Sequence, residues 1–421
     1  MLVIRESLIE NIGEKYIKTY LNDDKNTRLK EQEGIKIVDW INKLLLEERI
    51  NVKNFEDFVF HELFFGRRKQ IRVYQLDSIT KIKYYSDWEK IFKTEYKINQ
   101  LEFNSILTTW VTSRDTKKIS AVHVEENEKG ELVKLQILFN CYICLEEESE
   151  YRDSCAYIPV EIDFLKKIMI IKAWNRNNVA PAYRSDLLIE SVVKILAYTF
   201  HVKCKGYGIQ HKKILYSMSK GLVDEIYRKI PAYQKIEEIL PDIDEFEQLI
   251  LNKLPIENIS ENEKNQKAIP KGVIEFSDEI RKIIEKLIVS DYFYNKNYNE
   301  IWNMGIDAII AKIKFSDNEN VLTSMSNQGD KKPIFCTKTF LSLKKSMEDS
   351  KLVEKLWIAR KRERGELNVR YDASNEDYLE LLFDYAPRYK EEDLRIVMEM
   401  YADYGSKNFG KITNDNKRNV S

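Results

Sequence analysis

The sequence predicts an α+β protein: an N-terminal helical segment, a middle domain of antiparallel sheet with packed helices, and a second, smaller α+β domain after it. Three observations predict it. Apolar residues keep the helical period over residues 1–66, the period changes to two from Ile71, and five short β-branched runs then follow with turn residues between most of them. Consecutive strands without intervening helices argue an antiparallel meander rather than a parallel, doubly wound sheet.

The helical segment, residues 1–66, holds three patterns. Leu8, Ile9, Ile12, Tyr16, Ile17, Tyr20 and Leu21 mark one helix, which Asn22 to Asn26 breaks. Ile35, Ile37, Val38, Ile41, Leu44 and Leu45 mark a second, and Asn54 with Asp57 predicts the cap of a third that reaches Phe64 and stops at Gly66. The middle domain, residues 67–254, opens with a strand at Ile71–Leu76 and a short helix that Ser86 and Glu89 cap as a box. Strands follow at Ile106–Thr112, Lys118–Val124, Glu131–Leu145, Ala156–Ile162 and Lys167–Trp174. Helices at Ser185–Val202 and Lys212–Ile230 are expected to cover one face of the sheet.

Pro255 and Pro270 bracket a polar segment that reads as a linker. The C-terminal domain, residues 271–404, opens with a helix capped by Ser277. It continues with a hairpin (Ile306–Phe315, Val321–Met325) and a helix at Phe340–Met347. A second hairpin (Lys351–Lys361, Glu366–Tyr371) and helices at Asn375–Tyr385 and Lys390–Tyr404 complete it. Residues 405–421 are polar and are expected to be a disordered tail.

Composition narrows the function classes. In 421 residues there are 68 Lys and Arg against 69 Asp and Glu, five Cys, and no apolar run near the roughly 18 residues of a membrane span. The first residues carry charge where a signal peptide would be apolar, and an odd, sparse cysteine count is no disulfide framework, so a cytoplasmic protein without a membrane partner is expected.

Catalytic signatures are missing: no phosphate-binding G-x-x-x-x-G-K-[ST], no G-x-G-x-x-G, no G-x-S-x-G and no H-E-x-x-H occurs. No cofactor is expected, and enzymatic activity rests on one weak pattern. Asp153, Glu161, Asp163 and Lys172 surround one hairpin and suit a Mg²⁺-dependent nuclease, although the order of carboxylates and lysine is unusual. Cys141, Cys144, His201 and Cys204 have the spacing of two zinc-ligand pairs. Cys141 and Cys144 fall within one strand, where positions three apart face opposite ways, so buried thiols are the expected outcome.

Charge patterning is the strongest signal. Residues 164–223 carry eleven Lys and Arg against Asp186 and Glu190, and residues 224–263 carry eleven acids against four bases. Tyr183, Tyr198, Tyr207 and Tyr216 interleave with the lysines, as stacking on bases would require. The expected nucleic-acid contacts are Arg67, Arg68, Arg72, Arg176, Arg184, Lys203, Lys205, Lys212, Lys213, Lys220, Arg360, Arg362 and Arg364. The favoured expectation is a non-catalytic nucleic-acid-associated accessory or sensor protein, of a kind found in prokaryotic antiviral defence. The first alternative is a protein-protein scaffold or oligomer joined through the acidic and basic blocks, and the second is the nuclease.

Overall fold

The computed structural model describes residues 3–23, 35–77, 84–147, 150–254, 276–294, 296, 298–316, 322–326, 333–363, 365–384 and 388–418. They form an α+β fold in two compact units, one of residues 1–211 and 368–400, the other of residues 212–367 and 401–421. The expected linker at 255–270 lies outside the described residues, and its position falls within the second unit.

The first unit is built on an antiparallel sheet. In chain order its elements are α1 (Glu6–Ile12), α2 (Glu14–Asp23), α3 (Ile37–Leu46), α4 (Val52–Phe64), β1 (Gln70–Leu76), α5 (Tyr85–Tyr96), β2 (Phe103–Asn104) and β3 (Lys117–Glu126). There follow β4 (Leu132–Glu147), β5 (Glu150–Asp163), β6 (Ile168–Ala173), α6 (Ser185–Tyr198) and β7 (Cys204–Lys205). The strands lie in the order β2-β3-β4-β5-β6-β1. Beyond β1 come β12 (Tyr378–Asp384) and then residues 368–372 of β11 (Glu366–Asp372), while β7 pairs with the last residues of β1.

Both faces of this sheet are covered. Leu135, Ile137, Phe139, Cys141 and Ile143 of β4 meet Trp88 and Phe92 of α5 and Val192 and Leu196 of α6. The intervening Leu138, with Tyr157 of β5, meets Ile12, Ile41, Phe55 and Val59 of the N-terminal helices. The strand period of two thus feeds two cores, and each large side chain fully buried there contributes roughly 1.5–3 kcal/mol. The helices of residues 1–66 are therefore one layer of this unit rather than a separate cap.

Four local expectations differ from the structure, each for a physical reason. The first helix is two, because Gly13 stands between them at φ +102°, a conformation that no helix contains. Asn51, not Asn54, caps α4, its side chain accepting from the Asn54 amide at 3.0 Å. No side chain caps α5, and Ser86 lies inside its first turn. Residues 106–112 are turn, not strand: the Asn104 side chain accepts from the Ile106 amide and Ser105 Oγ donates to the Ser120 carbonyl, the side-chain bonds that compete with a ladder.

The larger difference is at 375–385, where a helix was expected and β12 is found. Leu379, Leu381 and Phe383 are fully buried and alternate with Glu380 and Leu382, which are not. That period is two, and Leu382 disguises it. β12 pairs with β1 from Gln70↔Leu382 to Tyr74↔Tyr378, which brings residues 368–400 into the first unit.

The second unit holds most of α7 (Gln210–Tyr227), α8 (Pro231–Gln234), α9 (Leu240–Lys253), α10 (Phe276–Tyr292), α11 (Tyr298–Trp302), β8 (Ala308–Ser316), β9 (Leu322–Ser326), α12 (Lys338–Ser350) and β10 (Lys355–Lys361). β8 pairs with β9, as the first expected C-terminal hairpin requires, and on its other side with β10. The helix α13 (Glu391–Arg418) continues through residues 405–418, which were expected to be disordered; residues 419–421 are outside the described set. Among the described residues no helix is long and apolar enough to cross a membrane.

Candidate nucleic-acid interface

The structure brings four lysines together where β1 ends. The Leu76 amide donates to the Lys167 carbonyl and the Asp77 amide to the Lys203 carbonyl, each at 2.8 Å. One residue earlier, Gln75 lies opposite Ile168 of β6 on one side and Lys205 of β7 on the other. Lys166 and Lys167 form the turn into β6, with Lys167 at φ +54°. With strands about 4.8 Å apart, the two lysine pairs flank β1 at roughly 10 Å from each other. All four are exposed, and so is Tyr198 (79%), five residues before Lys203. Asp77, Asp163 and Asp377 stand nearby, so the local positive excess is far smaller than the charge run of residues 164–223.

Elsewhere the run does not form one surface. Lys172 is fully buried, and Arg176 has a side chain only 6% exposed that lies 3.8 Å from Glu10 and 4.0 Å over the Trp174 ring. Arg184 is exposed and paired with Asp186 at 3.4 Å, and Lys194 is exposed. Lys212, Lys213 and Lys220 belong to the second unit, where Lys212 meets Glu354 at 3.5 Å. Of the interleaved tyrosines, Tyr183 packs edge-on against Tyr142 and Tyr207 lies 3.6 Å from the His211 ring, and both are half-buried.

The expected arginine contacts at the helix–strand junction need correction. Arg68 is completely buried and donates to the main-chain and side-chain oxygens of Asn11, both at 2.8 Å. Arg72 is also buried, 3.6 Å from Glu380, 3.9 Å from Glu190 and over the Tyr378 ring. Arg67 is half-buried, donating to the Glu10 carbonyl at 2.9 Å and lying over Trp174. The Arg68 and Arg72 guanidiniums are interior groups with no surface for phosphate. Arg360 and Arg362 of the second unit are half-buried, and Arg364 is outside the described residues.

The nuclease group does not converge. Asp153 and Glu161 are eight residues apart along β5, about 26 Å at strand rise, and Asp153 accepts from the Tyr142 hydroxyl at 2.6 Å. Asp163 accepts from the Lys166 amide in the turn. Glu161 accepts from Gln136 at 3.0 Å and meets Lys134 at 3.5 Å. Burial raises its pKa, but Lys172, Lys134 and the Gln136 bond outweigh that and hold the carboxyl below the usual carboxylate range. The Lys172 ammonium lies over the Phe64 and Phe65 rings at 4.3 and 4.0 Å, without a hydrogen-bond acceptor among the described residues, and burial pushes it down to about 8.

Cys141 and Cys144 are ladder residues of β4, with Cys141 buried and burial pushing its thiol up to about 12, while His201 and Cys204 are exposed. Among the described residues no group of three or more His, Cys, Asp or Glu side chains is placed to hold a metal ion. Lys166 and Lys167 belong to this grouping but were not among the expected contacts; the Asp163-Phe-Leu-Lys turn is visible in the sequence, but not that β7 returns on the other side of β1. No protein-family model matches the chain, and no curated protein matches it either.

Proposed function

We propose that the first unit binds the phosphate backbone of nucleic acid through Lys166, Lys167, Lys203 and Lys205, as the binding part of an accessory or sensor protein. The observation that carries this reading is the placement of two exposed lysine pairs on either side of the β1 terminus. Compact ammonium groups on flexible stems contact phosphate without reading sequence. Tyr198 supplies an exposed ring on which an unpaired base stacks. Because the local excess of positive charge is small, the expected affinity is that of non-specific binding, roughly 10⁻⁴–10⁻⁶ M at physiological salt.

Fluorescence anisotropy with a labelled single-stranded oligonucleotide, across a salt series, tests it. Binding at low salt whose affinity falls with a log–log slope of about −0.7 per contacted phosphate supports the reading. Absence of binding at low salt, or binding indifferent to salt, overturns it.

One observation favours a second reading, association with a protein. Two apolar pairs, Phe246 with Leu249 on α9 and Ile283 with Leu287 on α10, are between 45% and 62% exposed. Within the acidic block Glu237 pairs with Arg281 and the buried Glu247 accepts from Ser277, while Glu238, Asp242 and Glu245 are exposed. Size-exclusion chromatography with light scattering on the intact chain and on an Ile283→Glu, Leu287→Glu variant distinguishes association through this face from a monomer.

A further inference from the structure

A second feature of the first unit is independent of the lysines. Between α1, the turn at 106–112 and the strands β4 and β5 lies a cavity of about 190 Å³, lined by Arg5, Leu8, Leu107, Trp110, Asn140 and Asp153 among others. It is larger than a cavity of about 150 Å³ that holds benzene. Its mouth carries opposite charges: Arg5 and Asp153 are both exposed, and the Arg5 guanidinium lies 3.9 Å over the partly exposed Trp110 ring. The Tyr142 hydroxyl, donating to Asp153 Oδ1, fixes that carboxylate and leaves its second oxygen as an acceptor.

Asn140 and Ser154 both line this cavity, and each has a buried side-chain oxygen without a partner among the described residues. Asn140 is 1% exposed, and its Nδ2 donates to the Thr109 carbonyl at 3.2 Å. A carbonyl accepts only, so this bond fixes which end of the amide is nitrogen. Oδ1 is then left without a donor among the described residues. An unsatisfied buried acceptor costs roughly 1–3 kcal/mol, and a leucine of similar size would avoid that cost. Lining a cavity of this size, the acceptor is placed to receive a donor from a small ligand.

We propose that this cavity binds a small zwitterion of the α-amino-acid class. Arg5 takes the carboxylate in its planar fork, while Asp153 and Asn140 Oδ1 accept from the ligand's nitrogen donors. Leu8 and Leu107 enclose its apolar part. A mononucleotide exceeds the space, and a purely apolar guest would leave Asn140 unpaired. A ligand bound here ties α1 to the sheet at Asn140 and Asp153, which would let its presence be sensed through the stability of the N-terminal layer.

The experiment is thermal unfolding of the intact chain with each of the free amino acids at millimolar concentration, in the unaltered protein and in Asn140→Leu and Arg5→Met variants. The expected result is a saturable rise in melting temperature for a subset of them, with apparent affinity weakened roughly tenfold or more in each variant, a loss of about 1.4 kcal/mol. Arg5 is exposed, so Arg5→Met leaves the fold intact even if Asn140→Leu alters its stability. No shift with any amino acid, or the same shift in both variants, overturns the proposal. The oligonucleotide titration reads a different surface, so failure of one leaves the other standing.

Discussion

Arg68 ends on Asn11. Its Nη1 donates to the Asn11 carbonyl and its Nη2 to Asn11 Oδ1, both at 2.8 Å, while Asn11 Nδ2 donates to the Cys155 carbonyl at 2.9 Å. One residue of α1 thus meets both terminal nitrogens of a fully buried guanidinium, whose Nε has no partner among the described residues, and a carbonyl of β5, and burial pushes the arginine down to about 9.

Removing one partner of this pair is expected to cost more than removing both. Asn11→Leu leaves a buried cation without its side-chain acceptor and is expected to destabilise by about 3 kcal/mol; Asn11→Leu with Arg68→Met is expected to recover about half of that. Urea unfolding of the two variants checks the order.

Lys172 is expected to act in the opposite sense. Its ammonium has aromatic rings but no acceptor, and Glu161 keeps Lys134 and Gln136 when Lys172 is removed. Lys172→Met is therefore expected to stabilise by about 1–3 kcal/mol at pH 7. Between about 8 and 10.5 the unfolded chain holds this proton and the folded chain does not, so the stability of the unaltered protein gains on the variant as pH rises through that window. Melting curves at pH 7 and pH 10 should show the variant's advantage shrinking.

His211 gives the acid counterpart. Burial pushes it from 6.5 down to about 3, with its ring 3.6 Å from Tyr207. As pH falls below 6.5 the unfolded chain takes up a proton that the folded chain refuses, so stability falls by up to about 1.4 kcal/mol per pH unit until about pH 3. His211→Phe lacks this component, and the difference between the two acid-unfolding profiles isolates it.

Gly13 is expected to resist substitution. At φ +102° an added Cβ would be strained and would lie 2.6 Å from Arg67 Nη2. Gly13→Ala is expected to destabilise by about 1–3 kcal/mol in chemical unfolding, more than an alanine placed within α2.

The meander was legible because β3 to β6 are neighbours in sequence and each keeps a period of two. What surrounds it was not. Arg68 and Arg72 were expected to meet phosphate as a basic cluster at the helix–strand junction, Arg176 as part of the basic run, and Lys172 was expected to assist a nuclease. Residues 1–66 enclose Lys172 and Arg176 and hold Arg68 through Asn11, while Arg72 is enclosed by Glu190, Glu380 and Tyr378, so all four are interior cations. Tyr378 to Asp384 was misread for a related reason: a strand inserted beside β1 from the far end of the chain shows only a short apolar run, and Leu382 blurs its alternation. The lysine grouping depends on β7, a two-residue strand whose partner lies well over a hundred residues earlier, and no local pattern announces such a pairing.

The most direct test of phosphate binding is a four-site variant, Lys166→Gln, Lys167→Asn, Lys203→Gln and Lys205→Gln, with asparagine at 167 because that position is left-handed. Its affinity for a labelled single strand should fall at least tenfold at low salt, with the salt slope shallower by about 0.7 for each phosphate that the variant no longer neutralises, and its melting temperature unchanged. Equal affinity and slope in the variant and the unaltered protein would contradict the account.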